Sequence, residues 1–342
     1  MAKKNPPTVQ VVAAGVVASG GALAAAGKLV RDRTADRAMR RRTRYRLRPG
    51  EGAADGIRRV ARGQLELASD RLERGRGKDI GEAIHETRKS LKRLRAVVRL
   101  ARDPLGDEVY RAENQAFRDA GRELSSVRDA QVMRETLDDL VARYGDELPE
   151  GAFAGLRETF ETEAETAHER VRDDGAATDE LAATLSAARA RVATWPLPER
   201  DDWSILAPGF ARIYRRGRRA LRTAEQDRGT ESLHELRKRA KDLWHAAQVV
   251  RPAAPGRLKR LARRAHALSD HLGDDHDHAL LADAARRRTG SLAPGELELL
   301  EALVARRRAR LQRDALRCAR RVYAPKPKAW TRRLSRTPSA RA

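Results

Sequence analysis

The sequence predicts an all-α fold, and three observations carry that expectation. From about residue 53 to 322, long stretches lack proline and are dominated by Ala, Leu, Arg and Glu, all good helix formers. No run there alternates apolar and polar residues between turn signals, as a half-buried strand would. Breakers are instead gathered at Gly75 to Gly81, Pro104 to Gly106, Gly145 to Gly151, Trp195 to Pro198, Pro252 to Gly256 and Gly290 to Gly295. They cut the chain into about eight helical segments.

The best internal boundary is the TWPLPER stretch, because two prolines two apart stop a helix and stiffen the connection. Four segments are expected on each side, in 53–194 and 199–322. Residues 1–52 and 323–342 read as tails. The second is basic and interrupted by proline, and predicts no packed structure. Within the first, Val9 to Val30 forms the one apolar run. Its length suits a membrane span, and Ala14, Ala18, Ala22 and Ala26 give it a small-residue face. Ala and Gly supply little insertion energy, so a membrane or interfacial anchor and a weak helix or unpacked tail both stay open. A cleaved signal peptide fits less well with a body that reads as cytosolic.

Composition speaks to partners. Lys and Arg total 72 against 49 Asp and Glu, a formal net charge of +23. Such an excess predicts attraction to polyanions: nucleic acid, anionic membrane or polyphosphate. Aromatic residues are only 4% of the chain, too few for the stacking platforms that single-strand nucleic-acid binders use. A partner that is all charge and no base fits better, which leaves nucleic acid as a non-specific partner. Cys318 is the only cysteine, so an intrachain disulfide and a four-cysteine zinc site are excluded, and a reducing compartment is expected.

The two halves match each other. Residues 84–95 read IHETRKSLKRLR and residues 233–244 read LHELRKRAKDLW, at an offset of 149. The shared pattern is apolar-His-Glu-x-Arg-Lys-x-x-Lys-x-Leu. A second pair follows, LSSVRDAQVM at 124–133 and LGDDHDHALL at 272–281, in which Arg128–Asp129 corresponds to His276–Asp277. A duplicated helical unit explains both.

On a helix, His85, Arg88, Lys92, Arg95, Arg99 and Arg102 fall on one stripe, with Ile84, Leu91, Leu94, Val98, Ala101 and Leu105 on another displaced by one residue. In the second block His234, Arg237, Lys241, Trp244, Gln248 and Arg251 hold the polar stripe, and Leu233, Leu236, Ala240, Leu243, Ala247 and Val250 the apolar one. The apolar stripe can bury while the polar stripe lines a groove. Like charges in a row repel, and a linear polyanion lying along them offsets that cost. Arg offers forked hydrogen bonds to phosphate oxygens, Lys a point charge, and His a proton-dependent contact. Arg58, Arg59 and Arg62 precede the first stripe, and Arg212, Arg215, Arg216, Arg218 and Arg219 the second; some are expected to face the same groove. Residues 151–185 are acidic and are expected to face away from it.

Other chemistries find less support. His271, Asp274, Asp275, His276, Asp277 and His278 have metal-ligand chemistry, but the first half has only Arg128–Asp129 at that place, so a structural helix contact is expected instead. No nucleophile motif and no phosphate-cradling glycine loop is present. No catalytic residue, metal or cofactor is assigned.

These blocks resemble the CHAD family, the conserved-histidine α-helical domain, whose motif is a His followed by Arg and Lys at helical spacing, found twice. The resemblance covers about residues 53–322. It implies two four-helix bundles related by a pseudo-twofold axis, forming one domain with a basic channel. It also implies binding of inorganic polyphosphate and, for a bacterial cytoplasmic member, association with polyphosphate granules. Residue by residue, His85, Arg88, Lys89, Lys92 and Arg95 match in the first block, and His234, Arg237, Lys238 and Lys241 in the second. With Arg99 from the stripe, these are the expected polyphosphate-binding residues. Asp242 and Trp244 stand where a basic residue is often seen, so the second face is expected to contribute less. No strand-rich CYTH-like segment or Glu-x-Glu-x-Lys motif is found, so the chain looks like a stand-alone member and a binding protein, not an enzyme. The alternatives are a metal-dependent helical phosphohydrolase using His276–Asp277, and a nucleic-acid-binding protein.

Overall fold

The computed structural model describes residues 45–75, 80–123, 127–173, 175–198 and 202–334. The apolar run at 9–30 lies outside them. Among the described residues no helix is long and apolar enough to cross a membrane. Twelve α-helices and no strand are found there: α1 (Ala53–Gly75), α2 (Ile80–Leu100), α3 (Arg102–Leu105), α4 (Asp107–Glu123), α5 (Val127–Tyr144), α6 (Ala154–Asp173), α7 (Gly175–Ala193), α8 (Ala207–Gln226), α9 (Thr230–Val249), α10 (Pro255–Arg286), α11 (Glu296–Tyr323) and α12 (Lys328–Leu334). The all-α expectation is borne out.

Among the described residues the foreseen breaks at Pro104 to Gly106, Gly145 to Gly151, Trp195 to Pro198, Pro252 to Gly256 and Gly290 to Gly295 fall at helix ends, and one more, Gln226 to Thr230, was not foreseen. There the Asp227 backbone is extended and its carboxylate accepts the Gly229 N–H at 2.8 Å. A lone Asp turning the chain through its own side chain gives a weaker signal than proline.

Two apolar clusters hold the helices, and neither belongs to one half of the sequence. The larger joins α1, α2, α4, α7, α8, α9 and α12 with Leu258 to Leu272 of α10 and Ala315 to Tyr323 of α11. The smaller joins α5 and α6 with Leu281 to Ala285 of α10 and Leu300 to Val304 of α11. The 32-residue α10 and 28-residue α11 therefore run antiparallel through both.

The halves meet where α8 crosses the end of α2. A Cβ at Gly209 would lie 1.9 Å from the Leu100 carbonyl oxygen, so only glycine permits this approach. Beside the crossing, Asp242 of α9 accepts from Arg99 of α2 at 2.9 Å and pairs with Arg239 at 2.9 Å. All three side chains are at most 15% exposed.

Both tail expectations need correction at their inner ends. Leu47 is fully buried and its N–H donates to Val249 O at 2.9 Å, while the Tyr45 hydroxyl donates to Arg93 O at 2.9 Å. At the other end α12 packs on α8, with Trp330 6.2 Å from Phe210 and 6.1 Å from Tyr214. Trp330 and Leu334, one helical turn apart, supply an apolar edge that the basic, proline-rich composition hid.

Candidate functional site

Both apolar stripes are buried: Ile84, Leu91, Leu94 and Val98 on α2, continued by Ala101 and by Leu105 of α3, and Leu233, Leu236, Ala240, Leu243 and Ala247 on α9, continued by Val250 at its end. Burying each Leu or Val contributes roughly 1.5–3 kcal/mol, which fixes the rotation of each helix and so the direction of its polar face. Those faces open on one groove of about 1500 Å³, walled by α2, α9, the C-terminal half of α10 and parts of α5 and α6. Nine Lys or Arg line it against four carboxylates, so the surface is strongly cationic.

Six of the ten expected residues line the groove: His85, Arg88, Lys89 and Lys92 from α2, and Arg237 and Lys241 from α9. The Glu of each His-Glu motif steadies the Lys three residues on. Glu86 pairs with Lys89 and with Arg71, and Glu235 lies 3.9 Å from Lys238. Arg237 reaches the groove past Gly273, where a Cβ would stand 3.2 Å from its guanidinium, and it lies 4.0 Å from Asp277. Its Nε is buried with no hydrogen-bond partner among the described residues.

The other four lie elsewhere. Arg99 is held by Asp242, and Arg95 donates to Asn114 of α4 at 3.4 Å. Burial, then the neighbouring Arg99, lowers the Arg95 pKa to about 10. Arg102, further along that stripe, is bound by Asp107 at 2.8 Å and stacks over Tyr110. The straight stripe thus divides: its first half faces the groove, and its second is taken up by packing against α4, α8 and α9. Lys238 is exposed beside Glu235. His234 sits one layer behind the wall, its ring 4.5 Å from that of His276, which does line the groove. Burial, then His276 and the nearby cations, lowers the His234 pKa to about 4. Burial and Arg237 lower that of His276. Burial thus favours the neutral form of both rings.

The preceding basic residues do other work. Arg58 donates to Trp195 O at 2.9 Å, Arg59 to Glu51 at 2.7 Å and Arg212 to Asp103 at 2.7 Å, all away from the groove. The acidic segment needs correction too, because α6 forms one wall. It presents Thr159, Thr162, Thr166 and Arg170, spaced three or four apart, and turns Glu161 and Glu165 outward. Of its two lining acids, Glu163 is clamped by Arg288 at 2.7 and 2.9 Å. Sequence reasoning missed this threonine face, along with Arg93, Arg287 and Arg288. The 3.6-residue spacing within 159–170 was the available signal, masked by the net acidity of the stretch.

The His271–His278 cluster spreads around α10. Asp275 is buried and accepts from Arg308 at 3.0 Å and Gln312 at 2.9 Å, while His278 Nδ1 meets Asp274 O at 2.7 Å. Among the described residues no three His, Cys, Asp or Glu side chains gather to hold a metal. The Arg128 and Asp129 side chains lie outside the described residues.

Fold and groove together define a helical domain with a basic channel assembled from a duplicated motif. The chain belongs to the CHAD family: the family model for the CHAD domain matches residues 59–286. Solved structures agree on the fold. PptA from Streptomyces chartreusis is 17% identical, with a TM-score of 0.56, covering 80% of this chain and 100% of that one. The CHAD domain from the plant Ricinus communis is 18% identical, with a TM-score of 0.53, covering 87% and 97%. No curated protein matches the chain.

Proposed function

We propose that this chain binds inorganic polyphosphate in the groove without transforming it, and that this binding directs it to polyphosphate granules in a bacterial cytoplasm. One observation carries the reading: nine Lys or Arg, contributed from both halves of the sequence, line a single open groove against four carboxylates. Arg88 and Arg237 suit forked contacts to phosphate oxygens, and Lys89, Lys92 and Lys241 supply charge. The threonines of α6 add hydroxyl donors. The buried, unbonded Nε of Arg237 is a donor that an anion would satisfy.

Trp244 gives the test a built-in probe. It lines the groove half-buried, whereas Trp195, Trp203 and Trp330 are buried in the core. Titrating polyphosphate, DNA and RNA at one salt concentration, with tryptophan emission and calorimetry as readouts, should rank polyphosphate first. Its affinity should fall steeply with ionic strength, because displaced counterions drive multi-charge binding. Equal or tighter binding of either nucleic acid, or a flat salt response, contradicts the proposal.

A further inference from the structure

A second cavity of about 630 Å³ adjoins the groove and shares Trp244 and His266 with it. Its walls are the continuation of the same two helices, together with Tyr45 and Arg46 from the segment before α1. Gln248 on α9 and Arg251 just past its C-terminal end follow Trp244 at steps of four and three; on α10, Lys259 and Arg263 precede His266 at the same steps. Its one carboxylate, Asp270, is engaged by His266. Arg251, Lys259 and Arg263 have no carboxylate partner among the described residues. The second cavity is thus a cationic surface with little internal compensation, reached from the groove past one aromatic pair.

That pair has a defined geometry. The Trp244 ring stands edge-on to His266 with centroids 3.9 Å apart, and its other face stacks on buried His245 at 4.5 Å. The α9–α10 hairpin keeps its register on both sides, setting His234 against His276 and Arg237 against Gly273 in the first cavity and Trp244 against His266 at the divide. From Arg237 to the end of α9 at Val249, twelve residues at about 1.5 Å each span roughly 18 Å, and Arg251 stands just beyond that end.

We infer that the second cavity is an extension subsite for the same polyanion, so that chains long enough to pass Trp244 gain the contacts of Arg251, Lys259 and Arg263 while short ones do not. This rests on the reading of the groove given above and adds to it a basis for chain-length preference. A compact anion fills the first cavity alone; a linear one continues along α9 and α10. The aromatic pair constrains the crossing to a flexible, unbranched ligand.

The test compares long-chain polyphosphate with tripolyphosphate on the full chain and on the variant Arg251→Ala/Lys259→Ala/Arg263→Ala. All three side chains are at least partly exposed and anchor no core contact, so the variant should keep its helical circular dichroism and melting temperature. The expected result is a loss of roughly tenfold or more for the long chain, with a salt slope smaller by up to about 3, and unchanged tripolyphosphate binding. Long-chain affinity unchanged in the variant, with the parent binding well, overturns the extension and leaves the groove standing. Equal loss for both ligands overturns it as well, because the subsite would then not distinguish length. A parent that binds neither ligand overturns the groove reading itself.

Discussion

Helices α2 and α9 carry the same motif and do unequal work. Each buries its apolar stripe fully and each turns Arg and Lys toward the groove, Arg88 and Lys92 on one, Arg237 and Lys241 on the other. Past that point they diverge. Where α2 has Arg93, Ala96 and Arg99, α9 has Asp242, His245 and Gln248. Arg93 lines the groove, whereas its counterpart Asp242 points into the junction between the halves and binds Arg99 and Arg239. The repeat fixes which face of each helix is buried; what the remaining face does is decided by the helix packed beside it. The thinner basic face of α9 is thus where this chain places the ion centre that joins its halves.

The largest effect should come from Asp242. Asp242→Ala leaves Arg99 buried without its counter-charge and Arg239 with Glu235 alone, and breaking such a buried pair costs about 3–5 kcal/mol. Denaturant unfolding should show that loss, while Arg93→Ala, at the matching place in α2, should cost only about 1 kcal/mol. Equal costs at the two positions would remove the asymmetry.

A smaller effect should follow acidity. Burial, then Arg93 and Lys241, pushes the His245 pKa down to about 3, and His234 lies at about 4. Each folded value is below the ordinary 6.5, so the unfolded chain takes up protons first. Their contribution is complete above about pH 6.5 and is lost as pH falls toward 4 and then 3. Melting temperature should therefore fall across that window. His245→Phe should flatten the slope without loss at neutral pH, because His245 Nδ1 makes no hydrogen bond among the described residues. Position 96 of α2 is Ala, so the slope belongs to the second block. An unchanged slope in the variant would place the acid sensitivity elsewhere.

Much of this was legible in the sequence, and the failures have physical causes. Gly and Pro clusters marked helix ends because they act on the local backbone, and the 3.6-residue stripes set helix orientation because burial of Leu and Val dominates it. The site was half legible. Spacing alone places Arg88, Arg95 and Arg99 on one line, but only the packing of α4 and α9 against that end of α2, through Asn114 and Asp242, withdraws Arg95 and Arg99 from the groove. The threonine wall of α6 was hidden because net charge averages over faces that the fold separates. Packing of Tyr45, Leu47 and Trp330 depended on partners far along the chain, at His245, Val249 and Phe210.

The most direct measurement sets the two blocks against each other by charge reversal. Arg88→Glu/Lys92→Glu should reduce polyphosphate affinity by about 100-fold or more with helical circular dichroism intact, since two cations become two anions in the groove. Arg237→Glu/Lys241→Glu should weaken binding by a smaller factor. Glu161→Lys/Glu165→Lys, on the outward face of α6, should weaken it not at all. A folded Arg88/Lys92 variant that binds polyphosphate as the parent does would contradict the account, because the cationic face of α2 would then be ordinary solvated surface.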